Sequence, residues 1–251
     1  MTPSLQLDDN VEIRETKSLW IFGYGSLCWR PGFEYNKAVL GHIKGFSRRF
    51  WQGNDVHRGT SEKPGRVVTL VEDNDDSVVY GIAFAISGEA AISYLSQREV
   101  KLGGYDTKFA TFHPSNGAPI KNVLLYVATP ANSLWLGEAP LTKIASEITE
   151  TRGLCGHNVE YLLRLANFMR QYCPGIEDPH LFKLEAAVLR MISERNMCIK
   201  SLMGDGRECV TFKMISSLNH QSLDNRLNYE RGNNFQFTTQ MSSKSLRCVR
   251  I

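Results

Sequence analysis

The sequence lacks a long apolar run, a secretory signal and a recognisable set of metal ligands, and each absence excludes a class of protein. No stretch approaches the roughly 20 consecutive apolar residues that cross a bilayer, so we expect no membrane partner. Residues 1–17 are polar and mixed in charge, without the apolar centre of a signal peptide, and we expect a flexible leader there. None of the six histidines stands at metal-ligand spacing from a cysteine, an aspartate or a second histidine. We therefore expect no metal cofactor.

The chain also carries little net charge. Its 29 Lys and Arg residues nearly balance 26 Asp and Glu residues, which gives a net charge of +3. The basic residues are scattered along the sequence, so we expect no nucleic-acid partner. The six cysteines are widely spread in a chain that is too long to need disulfides for stability. We expect free thiols and a cytoplasmic (cytosolic) location, and the sequence identifies no protein partner.

Residues 19 to 129 are strand-like. Short apolar segments predict six strands, at Leu19–Phe22, Val39–Trp51, Arg66–Glu72, Val78–Ile86, Thr107–Phe112 and Asn122–Thr129. The turn cluster Asp73–Asp76 predicts a hairpin between Val67–Val71 and Val78–Phe84. Several successive strands with one helical insertion favour a small antiparallel barrel or a strongly curled sheet.

Helical periodicity follows from residue 140 onward. Apolar stripes predict three helices, from Pro140 to Gly153, from Tyr161 to Tyr172, and from Leu181 to about Asn196. The sequence then becomes more polar and loses its periodicity, which is typical of a loosely attached or disordered tail. We therefore divide the α+β chain into a leader (1–17), one domain (18–196) and an atypical C-terminal tail (197–251).

The first strand runs directly into Gly23-Tyr24-Gly25-Ser26. A dinucleotide-binding fingerprint would need a small residue at position 28 and a helix there, but Cys28 is followed by a helix-breaking Trp-Arg-Pro-Gly. A nucleophile elbow would need glycine at positions 24 and 28, and is also excluded. Two interpretations remain open. The segment is either a plain strand-to-loop turn or an anion-binding turn in which glycines let successive N–H groups surround an oxygen.

Glu99 is the second candidate site residue. The segment before it, Glu89–Arg98, predicts a helix, and Glu99 continues the stripe of Ile92 and Leu95. This places a carboxylate on the buried face, which is costly unless the charge is paired or used. Glu99 is therefore either an ion-pair partner of a nearby basic residue or of an arginine in residues 48–66, or a general base whose pKa burial moves toward neutrality.

Six segments, in order along the chain, resemble the ChaC family of γ-glutamylcyclotransferases. They are Phe22–Leu27, Lys44–Gly53, His57–Thr60, Pro64–Leu70, the stretch from Tyr94 through Arg98-Glu99 to Gly103-Gly104-Tyr105, and His157–Leu162. The resemblance extends from about residue 18 to about residue 196 and is silent on the tail. An ordered match of this kind is far more specific than any one of its segments.

The resemblance implies a γ-glutamylcyclotransferase-like small antiparallel β-barrel with packed helices. It further implies cleavage of glutathione, a small-molecule substrate, to 5-oxoproline and cysteinylglycine without a cofactor. Glu99 corresponds to the catalytic glutamate of the family, and the substrate-binding segment corresponds to Ile21, Phe22, Gly23, Tyr24, Gly25, Ser26 and Leu27. Two alternatives stay open: a cyclotransferase for other γ-glutamyl amines or dipeptides, and a non-catalytic γ-glutamyl-binding or protein-interaction module.

Overall fold

The computed structural model describes residues 19–87, 93, 104–206 and 209–212. Seven main strands come first: β1 (Leu19–Gly23), β2 (Lys37–Lys44), β3 (Phe46–Asn54), β4 (Gly65–Glu72), β5 (Val78–Ile86), β6 (Asp106–Pro114) and β7 (Ile120–Val127). The helices are α1 (Leu141–Glu150), α2 (Asn158–Tyr172), α3 (Pro179–Glu194) and α4 (Ile199–Leu202), and a two-residue hairpin, β8 (Arg152–Gly153) with β9 (Gly156–His157), precedes α2. The predicted helix Glu89–Arg98 lies outside the described residues, apart from Ser93.

Five of the strands close into a small barrel in the order β1-β5-β2-β6-β7. All neighbours in the barrel are antiparallel except β1 and β7, which run parallel and close it at Ile21 and Leu124. Strand β5 pairs on both sides, with β1 and β2, and is buried along most of its length. This explains its continuous apolar sequence. The predicted α+β fold with a small, mainly antiparallel barrel is confirmed.

The predicted hairpin between Val67–Val71 and Val78–Phe84 is wrong. Strand β4 pairs with β3, from Phe46 opposite Glu72 to Asn54 opposite Gly65, whereas β5 pairs with β2. The chain therefore reverses within residues 55–64, and the Asp73–Asp76 cluster is an insertion in one arm of a long ribbon. We call residues 37–54 and 65–86 the long ribbon.

Gly45 divides the first arm of the long ribbon into two strands, where the sequence had predicted one from Val39 to Trp51. Its φ of 78° lies in the left-handed region that glycine adopts without strain. Its N–H donates to the carbonyl of Ser77 (2.9 Å), and its own carbonyl accepts from the N–H of Asp73 (3.0 Å). These bonds keep the arms together where β2 and β5 remain in the barrel and β3 and β4 leave it.

The helices pack beside this ribbon as their apolar stripes predict. The stripe of α2 is at most 1% exposed at Leu162, Leu165, Ala166 and Met169, and that of α3 is at most 2% exposed at Leu181, Leu184, Val188 and Ile192. Both α2 and α3 have a side-chain N-cap: His157 Nδ1 accepts from the N–H of Val159, and Asp178 Oδ1 accepts from the N–H of Leu181. None of the described helices is long and apolar enough to cross a membrane.

The described residues after 196 pack on the domain, although their composition had predicted loose attachment. Phe212 is 3% exposed, its N–H donates to the hydroxyl of Tyr172 (2.9 Å), and the two rings meet edge to face at 5.4 Å. The N–H of Val210 donates to the carbonyl of Trp29 (2.8 Å). Two aromatic residues of the domain thus bind this segment. Residues 213–251 of the predicted tail, and the leader 1–17, lie outside the described residues.

Most of the cysteines agree with the expectation of free thiols. Cys28, Cys173, Cys198 and Cys209 are free. Cys155 departs from it, because its sulfur is disulfide-bonded.

Candidate functional site

The segment that the sequence singles out is a tight, largely buried turn at the end of β1. We call Gly23–Leu27 the β1 turn. A short 3₁₀ helix, Ser26–Cys28, begins inside it. The N–H of Cys28 donates to the carbonyl of Gly25 (2.9 Å), and the N–H of Arg30 donates to the carbonyl of Ser26 (2.8 Å). The backbone is therefore folded back on itself immediately after the barrel strand.

Two side chains fix the position of the β1 turn. The hydroxyl of Tyr24 donates to the carbonyl of Tyr126 on β7 (2.5 Å), and the thiol of Cys28 donates to the carbonyl of Gly23 (3.2 Å). Burial raises the pKa of Cys28 to about 12, so that the sulfur keeps its proton at neutral pH and remains a donor. The turn is thus tied to the closing pair of barrel strands.

Gly25 is required by its neighbours rather than by its φ angle. A Cβ at this position would lie 2.7 Å from the hydroxyl oxygen of Tyr161 and 2.8 Å from a Val68 methyl carbon, both closer than van der Waals contact allows. Among the described residues, no acceptor takes a hydrogen bond from the N–H of Gly25 or of Leu27. Backbone N–H groups with no protein acceptor beside a glycine are what an anion-binding turn requires. The geometry therefore favours the second of the two interpretations left open by the sequence.

The aromatic residue behind the turn is Tyr161 of α2. Its hydroxyl accepts from the N–H of Val68 (3.3 Å), and the Trp29 ring meets it edge to face at 5.2 Å. Burial raises its pKa far above the usual value for tyrosine. Tyr161 is therefore a neutral support that joins the long ribbon, the turn and α2.

Three buried arginines of residues 48–66 bind carboxylates from the helices. Arg48 pairs with Asp178 (2.9 Å), Arg58 pairs with Glu160 (2.9 Å), and Arg66 pairs with Glu147. These partners lie 81 to 130 residues away along the chain. The alternative of an ion pair between Glu99 and an arginine of this region stays a prediction, because Glu99 lies outside the described residues.

Glu160 has a second arginine partner. Its other carboxylate oxygen lies 2.8 Å from Arg164, one helical turn on. Burial raises the pKa of Glu160, but the hydrogen bonds and charges of Arg58 and Arg164 outweigh that effect and hold the pKa below its usual value. A buried anion between two cations holds the loop of residues 55–64 to the start of α2.

The described residues contain no group of three or more His, Cys, Asp or Glu side chains that could hold a metal ion. What the turn and its surroundings offer chemically is a set of backbone donors in a desolvated setting. Such donors stabilise a carboxylate or a developing oxyanion.

A family model described as ChaC-like protein matches residues 19–191. The chain belongs to this family. The match begins with β1 and ends within α3, so it includes the β1 turn, the long ribbon and both helices that support them. The resemblance found in the sequence segments is confirmed.

This chain aligns with relatives of assigned activity over most of their lengths. A zebrafish (Danio rerio) protein named glutathione-specific gamma-glutamylcyclotransferase 1 is 52% identical over 180 residues, which are 70% of this chain and 91% of the relative. The human protein of that name is 49% identical over 76% of this chain and 86% of its own length. A fission yeast (Schizosaccharomyces pombe) glutathione-specific gamma-glutamylcyclotransferase is 35% identical over 70% of this chain and 95% of its own length.

A solved structure has the same fold. The crystal structure of the gamma-glutamylcyclotransferase specific to glutathione from yeast superposes with a TM-score of 0.63 at 26% sequence identity. It covers 69% of this chain and 96% of its own. The γ-glutamylcyclotransferase-like barrel implied by the sequence is confirmed.

Four of the six ChaC-like segments fall into two groups in the structure. Ile21–Leu27 forms the end of β1 and its turn, whereas His57–Thr60, Pro64–Leu70 and His157–Leu162 meet one another and build the support behind it. Glu99 lies outside the described residues. The described chain resumes at Gly104, whose carbonyl accepts from Asn132 Nδ2 (2.7 Å), so Gly104 lies beside the loop that follows β7.

Sequence reasoning missed Asn158, Glu160 and Gln52 as individual residues, although all three lie in the segments that carried the resemblance. Asn158 and Glu160 are buried and polar at the start of an amphipathic helix, which is the signal that could have marked them as partners of distant groups. Gln52 is buried on β3, opposite Val67 of β4.

Proposed function

We propose that this protein is a γ-glutamylcyclotransferase that cleaves glutathione into 5-oxoproline and cysteinylglycine. The observation that carries the proposal is the 52% identity with a glutathione-specific gamma-glutamylcyclotransferase over 91% of that relative's length. The intact β1 turn supports it, because the N–H groups of Gly25 and Leu27 have no acceptor among the described residues and can hold an anionic group of the substrate.

The reaction needs no protein nucleophile. The free α-amine of glutathione attacks its own γ-carbonyl carbon, a C–N bond closes the five-membered lactam, and the bond to the cysteine nitrogen breaks. The α-ammonium loses two protons as the lactam forms, and the cysteine nitrogen gains two as it leaves as an ammonium group. Because both reacting groups belong to one molecule, the protein contributes by holding the attacking conformer.

Within this proposal the β1 turn is the substrate-binding segment. Ile21 and Phe22 form its base in the barrel, and Gly23, Tyr24, Gly25, Ser26 and Leu27 present the backbone. The N–H groups of Gly25 and Leu27 would donate to the α-carboxylate or to the oxyanion of the tetrahedral intermediate. A well-placed donor to a developing oxyanion lowers the barrier by about 3 kcal/mol.

Glu99 would move the protons. As a carboxylate it accepts a proton from the α-ammonium, and as the resulting acid it returns one to the departing amine of cysteine. The support for this role is its place in the Arg98-Glu99 to Gly103-Gly104-Tyr105 segment, whose end is bound to Asn132 at the barrel.

The test is direct. Purified protein is incubated with millimolar glutathione, and 5-oxoproline and cysteinylglycine are quantified by mass spectrometry. We expect equal amounts of both products, their loss in Glu99→Gln, and their retention in Glu194→Gln, which makes the same change at an exposed helical position.

Each other outcome identifies what is wrong. Near-normal turnover by a folded Glu99→Gln protein would exclude the proton-transfer role. Faster turnover of γ-glutamyl-alanine or γ-glutamyl-lysine than of glutathione would assign the enzyme to other γ-glutamyl amines. Binding of glutathione without products would make the protein a γ-glutamyl-binding module.

The proposal also assigns the catalytic domain within the chain and the location of the reaction in the cell. We assign it to residues 18–196, since the ChaC-like match ends at residue 191, with residues 197–251 as an addition. We place the reaction in the cytosol, where the free thiols of four of the five described cysteines, all but Cys155, would persist. Cell fractionation with an antibody against the chain tests the location.

A further inference from the structure

Gln52 carries a buried hydrogen-bond acceptor that the described protein does not satisfy. The residue is 1% exposed, and no donor reaches its Oε1 atom. Leaving such a group unpaired costs about 1–3 kcal/mol. Groups of this kind in a folded protein call for an explanation, and a bound ligand is one.

The direction of Oε1 is determined by the neighbouring backbone. Asn132 Oδ1 accepts from the N–H of Leu134 (2.9 Å), and Asn132 Nδ2 donates to the carbonyl of Gly104 (2.7 Å). These two bonds leave only one orientation for the Asn132 amide. Gln52 Nε2 must therefore be the atom that donates to Asn132 Oδ1 (3.0 Å), and the unpaired atom of Gln52 must be the oxygen.

The pairing of the long ribbon places Gln52 on the face directed at the end of β7. Gln52 lies opposite Val67, and residues directly opposite each other in a sheet share a face. Thr69, two residues along from Val67, is on the same face. Its Oγ1 bonds to the N–H and the carbonyl of Ala128, immediately after β7.

The β1 turn lies at that same end. Strands β1 and β7 run parallel with Ile21 opposite Leu124, so they leave the barrel together, and Tyr24 bonds to Tyr126. Gln52, the β1 turn and Gly104, which follows the Glu99 segment, therefore converge on one end of the barrel.

We propose that Gln52 Oε1 accepts a hydrogen bond from the α-amino nitrogen of the γ-glutamyl substrate. This inference rests on the proposed function. Gln52 is then a substrate-binding residue that orients the attacking nitrogen, whereas Glu99 exchanges its protons.

The chemistry of that nitrogen explains why a neutral amide oxygen suits the position. The α-ammonium has three N–H bonds, two of which are lost as the lactam forms, and one of which remains in 5-oxoproline. A carboxylate acceptor would take the proton, but an amide oxygen is too weak a base to do so. Gln52 can therefore hold the N–H that persists and leave the lone pair free to point at the γ-carbonyl.

The experiment compares Gln52→Leu with wild type and with Gln171→Leu, the same change at an exposed position of α2. The first readout is kcat/KM for glutathione. The second is the inhibition constant of glutaryl-cysteinylglycine, which is glutathione without the α-amine. We expect kcat/KM to fall about 10- to 100-fold in Gln52→Leu, as for loss of a hydrogen bond to a charged group. We expect the inhibition constant to change by less than about twofold, because the analogue lacks the α-amine that Gln52 would bind.

The outcomes separate this inference from the function on which it rests. Absence of 5-oxoproline with the wild-type protein contradicts the proposed function. Product from wild type together with an unchanged kcat/KM in Gln52→Leu overturns the role of Gln52 alone. A parallel rise in the inhibition constant also overturns it, because the residue would then act on another part of the substrate or on the shape of the site.

A crystal structure with bound 5-oxoproline gives a second test that needs no variant. The lactam nitrogen is the former α-amine nitrogen, so we expect it about 3 Å from Gln52 Oε1. A water molecule or a different ligand atom at that position would contradict the proposal. This test uses the wild-type protein, so it decides the question even where Gln52→Leu fails to fold.

Discussion

Asn158 completes the hydrogen bonding of Arg66 as a neighbouring strand would. Its Oδ1 accepts from the N–H of Arg66 (2.7 Å), and its Nδ2 donates to the carbonyl of the same residue (2.8 Å). Asn158 is fully buried at the start of α2, and Arg66 lies on β4. One side chain thus attaches the outer half of the long ribbon to the helix that carries Tyr161.

Replacing Asn158 with alanine should therefore destabilise the whole domain. Both backbone groups of Arg66 would lose their partner while remaining buried, and we expect the free energy of unfolding to fall by about 2–4 kcal/mol. Urea denaturation followed by circular dichroism measures the change. Glu194→Ala, on the exposed side of α3, is the control and should change stability little. Equal stability of the two variants would mean that water replaces the Asn158 amide.

Gly25→Ala should impair substrate binding more than folding. The added methyl group would lie 2.7 Å from the Tyr161 hydroxyl oxygen, so the β1 turn must shift away from α2 and move its N–H groups. We expect kcat/KM for glutathione to fall at least about tenfold, a loss of about 1.4 kcal/mol. Steady-state kinetics measure this, with the melting temperature recorded in parallel. Thr142→Ala, at an exposed position of α1, is the comparison. Unaltered kinetics in Gly25→Ala would exclude the turn from the site.

The half-buried His180 should make stability depend on pH. Its Nε2 accepts from the N–H of Phe50 (3.1 Å), and burial lowers its pKa from 6.5 to about 4, helped by the charge of Arg49. The unfolded chain then binds the proton more readily than the folded one, so that stability is complete above pH 6.5 and is lost as pH falls toward 4.

We expect His180 to contribute about 1–3 kcal/mol to the fall in unfolding free energy between pH 7 and pH 4. His180→Gln keeps an acceptor for Phe50 but does not titrate, and should have a shallower dependence. Urea titrations at several pH values compare the two proteins. Identical pH dependence would mean that His180 is protonated without cost in the folded state.

Phe212 should anchor the described part of the C-terminal segment. Phe212→Ala would remove a side chain that is 3% exposed against Tyr172. We expect a loss of about 1–3 kcal/mol, below the roughly 3–5 kcal/mol of a central core phenylalanine, because the segment can detach while the barrel stays folded. Thermal unfolding measures it, with the exposed neighbour Thr211→Ala as the matched control. A Phe212→Ala protein as stable as Thr211→Ala would mean that this contact adds nothing to folding.

The sequence predicted the elements of this protein well because their signals are local. The apolar stripes of α2 and α3 and the extents of β1, β4 and β5 follow from the period of the chain itself. The β1 turn was identifiable because glycines directly after a buried strand let the backbone bend sharply and expose its N–H groups. The family resemblance then indicated the barrel and the chemistry.

Pairing partners were a different matter. The Asp73–Asp76 cluster has the composition of a hairpin turn, yet β4 pairs with β3 and β5 with β2. A turn signature reports only that the chain bends. Which strand lies alongside is decided by hydrogen bonds such as Gly45 to Ser77, between residues far apart in sequence.

What the sequence by itself determined is therefore the set of strands and helices, the β1 turn and the family. Only the tertiary structure decided the roles of its buried polar groups. Arg48 meets Asp178, Arg66 meets Asn158, and Gln52 is left with an unpaired oxygen. The physical reason is that a buried charge or amide is defined by its partner, and these partners are brought together only when the long ribbon folds onto the helices.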